Sequence, residues 1–200
     1  MQKKILTTII IMSCFLSSGC SINHFIAEDY PDYLQNNTGT ISDMMLQRPA
    51  TYTLSDRTLA HRHEFRSFMA GSANLWIVEF GKMFDSSLKS TDYSPSFKPG
   101  TASELKIKFD LERYEFKNFQ TYITLNVDVV DGETNVFSKS YDVVGKNQAS
   151  KVVFTGVFGM KNAVQQSTKL AIDELLIRFR KDLKDKNIAI IDFRPLLALN

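Results

Sequence analysis

His61 and His63 stand two residues apart in this 200-residue chain, the first pair whose types and spacing could do chemistry. On a strand, alternate positions share a side, so both imidazoles could face one metal ion. Arg62 and Arg66 flank them and repel a cation, and no cysteine or obvious third ligand stands near. The pair therefore reads as a solvent-facing polar stretch. Asp128, Asp131 and Glu133 could be paired carboxylates, but their place is a strand end and a turn. No glycine-rich phosphate loop and no nucleophile elbow occurs. Lys106, Lys108, Arg113 and Lys117 lie on or near one strand, interleaved with Asp110 and Glu112. Mixed signs describe a solvated face; contact with anionic lipid headgroups is the sharper alternative. No catalytic residue, metal or cofactor is expected, and the chain is not read as an enzyme.

The cysteines offer chemistry of another kind. There are two, Cys14 and Cys20. Lys3 and Lys4 open the chain, a mostly apolar run covers Ile5–Leu16, and Ser17, Ser18 and Gly19 lead into Cys20. A positive start, a short apolar run and a small-residue exit make a secretory signal peptide. The run falls short of the roughly 20 residues of a spanning helix. Leu16-Ser17-Ser18-Gly19-Cys20 resembles the lipobox of bacterial lipoproteins. That resemblance implies a diacylglycerol on the Cys20 thiol, cleavage before Cys20, and acylation of the new amino group. It also implies, because Ser21 rather than Asp follows, residence at the periplasmic face of the outer membrane.

Composition then changes meaning. The whole chain carries 24 basic and 22 acidic residues, and loss of Lys3 and Lys4 leaves them equal. The formal charge of +2 is therefore no sign of nucleic-acid binding, and no nucleic-acid partner is expected. Loss of Cys14 leaves no intramolecular disulfide, so the fold must stand on its apolar core.

Stepping along the chain, residues 1–19 read as signal peptide, 20–50 as lipidated cysteine and tether, and 51–200 as a periplasmic domain. Pro31, Asn36, Asn37, Gly39 and Pro49 interrupt any period in the tether, while Tyr30, Tyr33, Met44, Met45 and Leu46 are apolar for a free linker and would let part of it lie against the domain or a partner. About 30 residues would reach ~100 Å extended or ~30 Å as a coil. Ala50–Leu54 predicts a short strand ended by Ser55-Asp56, and residues 57–71 read as a loop or a helical turn. Ser72 reads as an N-cap, opening a helix through Trp76, Phe80, Met83, Phe84 and Leu88. Residues 92–100 read as loop. Three strands follow. Leu105, Ile107, Phe109 and Leu111 share a face, and the phase slips near Glu112-Arg113, as a bulge would cause. Ile123, Leu125, Val127 and Val129 form the second run, Asp131-Gly132 the hairpin turn, and Phe137, Tyr141 and Val143 the third. A long helix runs from about Phe158 to Lys184 with Val164, Ala171, Leu175, Phe179 and Leu183 in one stripe. Residues 187–193 suggest a last short strand.

Strand, helix, three-stranded antiparallel meander, helix, with the two helices on one face, is an α+β two-layer fold. With the lipobox, the order resembles the YajG-type lipoproteins and the auxiliary lipoproteins of ABC-type envelope transport systems. It resembles more distantly the lipoprotein plug of the lipopolysaccharide-assembly barrel. The residues that carry the likeness are Tyr52-Thr53-Leu54, the Trp76 helix, the meander 104–144 and the last helix. The likeness implies a membrane-anchored accessory protein with an envelope protein as partner. The expected contact is a sheet edge or Val152–Met160, six large apolar residues and two glycines where a polar connection is usual; the plainer reading of that stretch is an edge strand and helix entry packed back on the domain. Within it Phe154, Val157, Phe158 and Met160 are the candidates, Val157 the most exposed. A lipid-binding auxiliary is the alternative and requires a cavity lined by Trp76, Phe80 and Leu175.

Overall fold

The computed structural model describes residues 21–37, 50–100 and 104–188. The signal peptide, Cys20, most of the tether's second half and the strand expected near 187–193 therefore lie wholly or largely outside the described residues. The elements in chain order are β1 (Ile22–Phe25), α1 (Tyr30–Asn36), β2 (Ala50–Leu54), α2 (Asp56–Ala60) and β3 (His63–Arg66). A 3-10 turn at Phe68–Ala70 leads to β4 (Asn74–Val78), α3 (Phe80–Lys89) and β5 (Phe97–Pro99). Then come β6 (Leu105–Lys117), β7 (Gln120–Asp131), β8 (Thr134–Val144) and α4 (Ala149–Asp185).

The larger sheet has the order β5-β2-β6-β7-β8. Its meander β6-β7-β8 is antiparallel, as expected, and the register slips between Leu111 and Arg113. The alternation succeeds because one face is dry and the other wet. Leu105, Ile107, Phe109, Leu111, Tyr114 and Phe116 are all buried, three or fewer residues from an exposed lysine. The sheet is nevertheless mixed: β2 runs parallel to both β6 and β5. A smaller sheet, β1-β4-β3, pairs β1 parallel and β3 antiparallel to β4.

Other expectations are corrected. Ser72 caps nothing and Trp76 is a strand residue; the helix begins at Phe80, after Glu79. Trp76, Ile77 and Val78 are buried together because β4 is covered on both faces, and such a strand shows a continuous apolar run rather than alternation. The reading of 20–50 as tether fails over residues 22–36, where β1 joins β4 and Ile26, Tyr30 and Leu34 enter the core. The last helix begins at Ala149, not near Phe158, and is broken at Gly156. Among the described residues there are four helices where two were expected, and Phe84 of α3 and Phe179 of α4 close the main core against Phe109 and Phe137 of the sheet.

Sequence explains where α2 sits. Ser55 accepts a hydrogen bond from the Thr58 amide at 3.2 Å, an N-cap. Its hydroxyl also donates to Asp110 at 2.5 Å, and Arg57 pairs with the same carboxylate. The Leu111 amide donates to the Thr58 hydroxyl at 2.7 Å, so a side chain continues the ladder that β2 leaves at Leu54.

Candidate functional site

The chain emerges beside Cys20 into an ordered corner. The Ile22 amide donates to the Ala73 carbonyl at 3.0 Å. The Arg66 guanidinium donates to the Ser21 hydroxyl at 3.1 Å and to the Ser72 carbonyl at 2.9 Å. Asn74 is buried and its amide donates to the Ala70 carbonyl at 2.7 Å, while its oxygen pairs with His24 Nε2 at 2.8 Å. The His24 ring stacks on Trp76 with centroids 4.3 Å apart. Ser21 is thus itself bound to the small sheet, and one peptide bond separates it from Cys20.

The apolar stretch 152–160 belongs to α4. Gly156 has φ 57 and ψ −127, a combination open to glycine, and it divides the helix. The candidates differ in exposure on both sides of that break. Phe154 and Phe158 are 84% and 85% exposed. Met160 is buried and Val157 is half-buried against the core, so these two are not part of an exposed lip and Val157 is not the most exposed of the four. Phe154, before the break, and Phe158, after it, both face outward, whereas Val152 and Met160 turn inward.

The histidine pair is not a solvated stretch. His63 Nε2 accepts from the Phe116 amide at 3.3 Å. Both rings meet Tyr114 edge-on, with centroids at 5.5 and 5.7 Å, at the junction of the two sheets. Burial pushes both imidazoles below their ordinary range, and His61 is lowered further by His63 beside it. Tyr114 is buried too, its phenol pushed up to about 12 by desolvation, and it shares a hydrogen bond with Thr168 at 2.9 Å. Among the described residues no group of three or more His, Cys, Asp or Glu is placed to hold a metal ion.

The other acidic and basic candidates occupy the places their sequence suggested. Asp128 accepts from Ser138 at 2.6 Å across the β7-β8 hairpin. Lys106 and Lys108 stand exposed on the outer face of β6. Missed by sequence was a buried cluster on α4. Lys169 and Asp173 are 8% and 13% exposed and pair at 2.7 Å. Tyr93 donates to the other Asp173 oxygen at 2.8 Å. Their i, i+4 spacing was the available signal. Each charge has its partner, so the cluster fastens the Tyr93 loop to α4.

No helix of the described residues is long and apolar enough to cross a membrane. No family model matches this chain, and no curated protein matches it. Solved structures do show partial likeness. A Xanthomonas campestris protein of the DUF330 family is 15% identical over 74% of this chain and 93% of its own, with a TM-score of 0.43. A hypothetical protein of Chlamydia trachomatis is 10% identical, over 69% and 99% of the two chains, at 0.40. A Caulobacter crescentus chain provisionally described as a lipoprotein is 10% identical, over 68% and 91%, at 0.35.

Proposed function

We propose that the protein is a non-catalytic lipoprotein of the bacterial cell envelope. Cys20 holds it to the periplasmic face of the outer membrane, and the domain is an accessory module of a transport or assembly machine. One observation carries the reading: the lipobox Leu16–Cys20 is followed at once by Ser21 and β1, which belong to the folded domain. A lipid on Cys20 would therefore fix this domain at a membrane. A protein partner finds an open edge in β8, whose outer side pairs with no other strand among the described residues. Such an edge accepts an added strand. The lipid-carrying alternative draws no support from the core. Trp76, Phe80 and Leu175 are buried together in the apolar core. A groove of about 310 Å³ does exist, but it lies between α1 and α3, lined by Pro31, Leu34, Ser86 and Lys89 among others.

Metabolic labelling with a fatty acid tests the anchor. The wild-type chain takes label and loses its signal peptide; Cys20→Ala does neither. A Cys20→Ala chain that is still labelled sinks the lipoprotein reading. Crosslinking in cells from Ser140, exposed on β8, then tests the accessory role. The expected product is an adduct with an envelope protein.

A further inference from the structure

We infer that one apolar end of the domain lies in the membrane surface, with Phe68, Phe154 and Phe158 inserted among the lipid headgroups. The inference rests on the anchored reading of Cys20.

Exposure comes first. Phe68 is 96% exposed, and Phe154 and Phe158 nearly as much; Ile22, Met69 and Val153 are also open. Large aromatic side chains so fully presented are rare on a free soluble face, and a cluster of them marks a contact.

These residues gather at one end. Ile22 pairs with Asn74, and Asn74 is bonded to Ala70 in the turn that carries Phe68 and Met69. That turn packs against α4. The sense of α4 can be followed through its contacts. Thr168 meets Tyr114, near one end of β6, and Phe179 meets Phe109, toward the other, so α4 runs against β6. His61 meets Tyr114 and His63 meets Phe116, so β3 runs with β6; β4 reverses β3, and β1 is parallel to β4. Helix α4 and strand β1 therefore run the same way. Gln165 donates to the Ile26 carbonyl at 3.3 Å and ties the two at one level. Ile22 lies four residues upstream, about 13 Å along a strand. About nine residues of helix cover the same rise, which reaches Gly156, between Phe154 and Phe158.

The occupant is decided by what adjoins this end. Cys20 is bonded to Ser21, and Ser21 is held by Arg66. With no free chain between lipid and fold, the anchor brings this end, and not another, against the bilayer. Charge agrees. Segments 65–78 and 143–172 contain no acidic residue, while Arg66, Lys146 and Lys151 stand exposed there. Cations around an apolar face suit anionic headgroups, into which such faces sink about 5–10 Å.

The test uses the acylated mature chain in phosphatidylethanolamine–phosphatidylglycerol vesicles. Its only cysteine is blocked by lipid, so Phe158→Cys and Glu133→Cys each supply a single thiol for a bimane probe. Glu133 lies exposed on the β7-β8 turn, beside the opposite end of the meander. Brominated lipid should quench the probe at 158 several-fold more than the probe at 133. Equal quenching, with the protein shown by mass to carry its acyl chains, overturns the inference and leaves the anchored reading intact. Sedimentation at twice the chain mass together with an unquenched 158 probe would give the patch to a second copy, and also overturns it. A second arm removes the anchor. The unacylated Cys20→Ser mature chain should bind the same vesicles weakly. Phe154→Glu with Phe158→Glu should lower that partition about tenfold or more, since two aromatic side chains then no longer leave water. If the protein from cells carries no acyl chain, the anchored reading falls, and this partition alone decides the patch. Equal partition of both chains overturns the inference.

Discussion

Gly81→Ala puts helix propensity and tertiary contact in direct opposition. Gly81 lies in the first turn of α3, where alanine should gain up to about 1 kcal/mol. The backbone of α2 prevents that gain. A Cβ on residue 81 would stand 2.4 Å from the Thr58 carbonyl oxygen and 3.0 Å from Leu59 Cα. An ordinary carbon–oxygen contact is about 3.3 Å, so roughly 0.9 Å of overlap must be relieved. Both opposing atoms are backbone and cannot rotate away. Nor can α2 withdraw freely, because Thr58 holds the Leu111 amide at 2.7 Å and Arg57 holds Asp110. Forcing a methyl into such a contact costs about 1–3 kcal/mol or more. The balance is a loss of about 1–2 kcal/mol, or a fall in Tm of about 3–6 °C for a domain of this size. Thermal unfolding followed by circular dichroism measures it, and a urea titration with unchanged m-value confirms that stability alone has changed. A Tm equal to or above wild type would show that α2 yields, and the close α2–α3 contact would lose its role in the argument.

Other expectations follow from burial and charge. Leu175 is fully buried in the α4 stripe, so Leu175→Ala should cost about 2–5 kcal/mol, read as a lower urea midpoint; an unchanged midpoint would place the stripe outside the core. Val157→Glu should lower the Tm sharply because Val157 packs on the core, whereas Phe158→Glu should leave it within about 2 °C; the reverse order would refute the inward placing of Val157 and the outward placing of Phe158. His61 and His63 resist protonation when folded, so below the unfolded value of about 6.5 the unfolded chain binds the extra protons. Stability is then full near neutral pH and falls as pH drops through 6.5 toward the lowered folded values. His61→Gln with His63→Gln should flatten the Tm between pH 7 and 5.5; an unaltered slope would assign it to other groups.

The parts of the fold legible in the amino-acid order were those whose pattern is local. The meander shows alternation over strands of 11 to 13 residues, and the phase slip at Glu112 marks the bulge to the residue. Strand β4 was hidden because cover on both faces erases alternation, and the spacing of Trp76, Phe80 and Met83 then imitates a helix. Strand β1 and helix α1 have four and seven residues, too few to display a period. Their signals were single residues, Pro31 in the first turn and the Tyr30–Leu34 pair four apart. The parallel pairing of β2 with β6 leaves no local trace, since a strand's alternation is the same whichever way its neighbour runs. In the candidate contact, Phe154 and Phe158 could not be told from Val157 and Met160 until Gly156 was seen to interrupt a helix rather than a loop.

The seam between β1 and β4 has a mechanical meaning. A lipid on Cys20 would make Ser21 the point where membrane drag enters the domain. Strand β1 is pulled from its own first residue, along its axis, and its bonds to β4 lie across that axis from Ile22 to Phe25. They bear the load together, as a lap joint does, instead of opening one after another. With Cys20 lipidated, strand β1 would serve as a short fixed mount, and a pull on the far end of the domain would reach the anchor without first taking up slack.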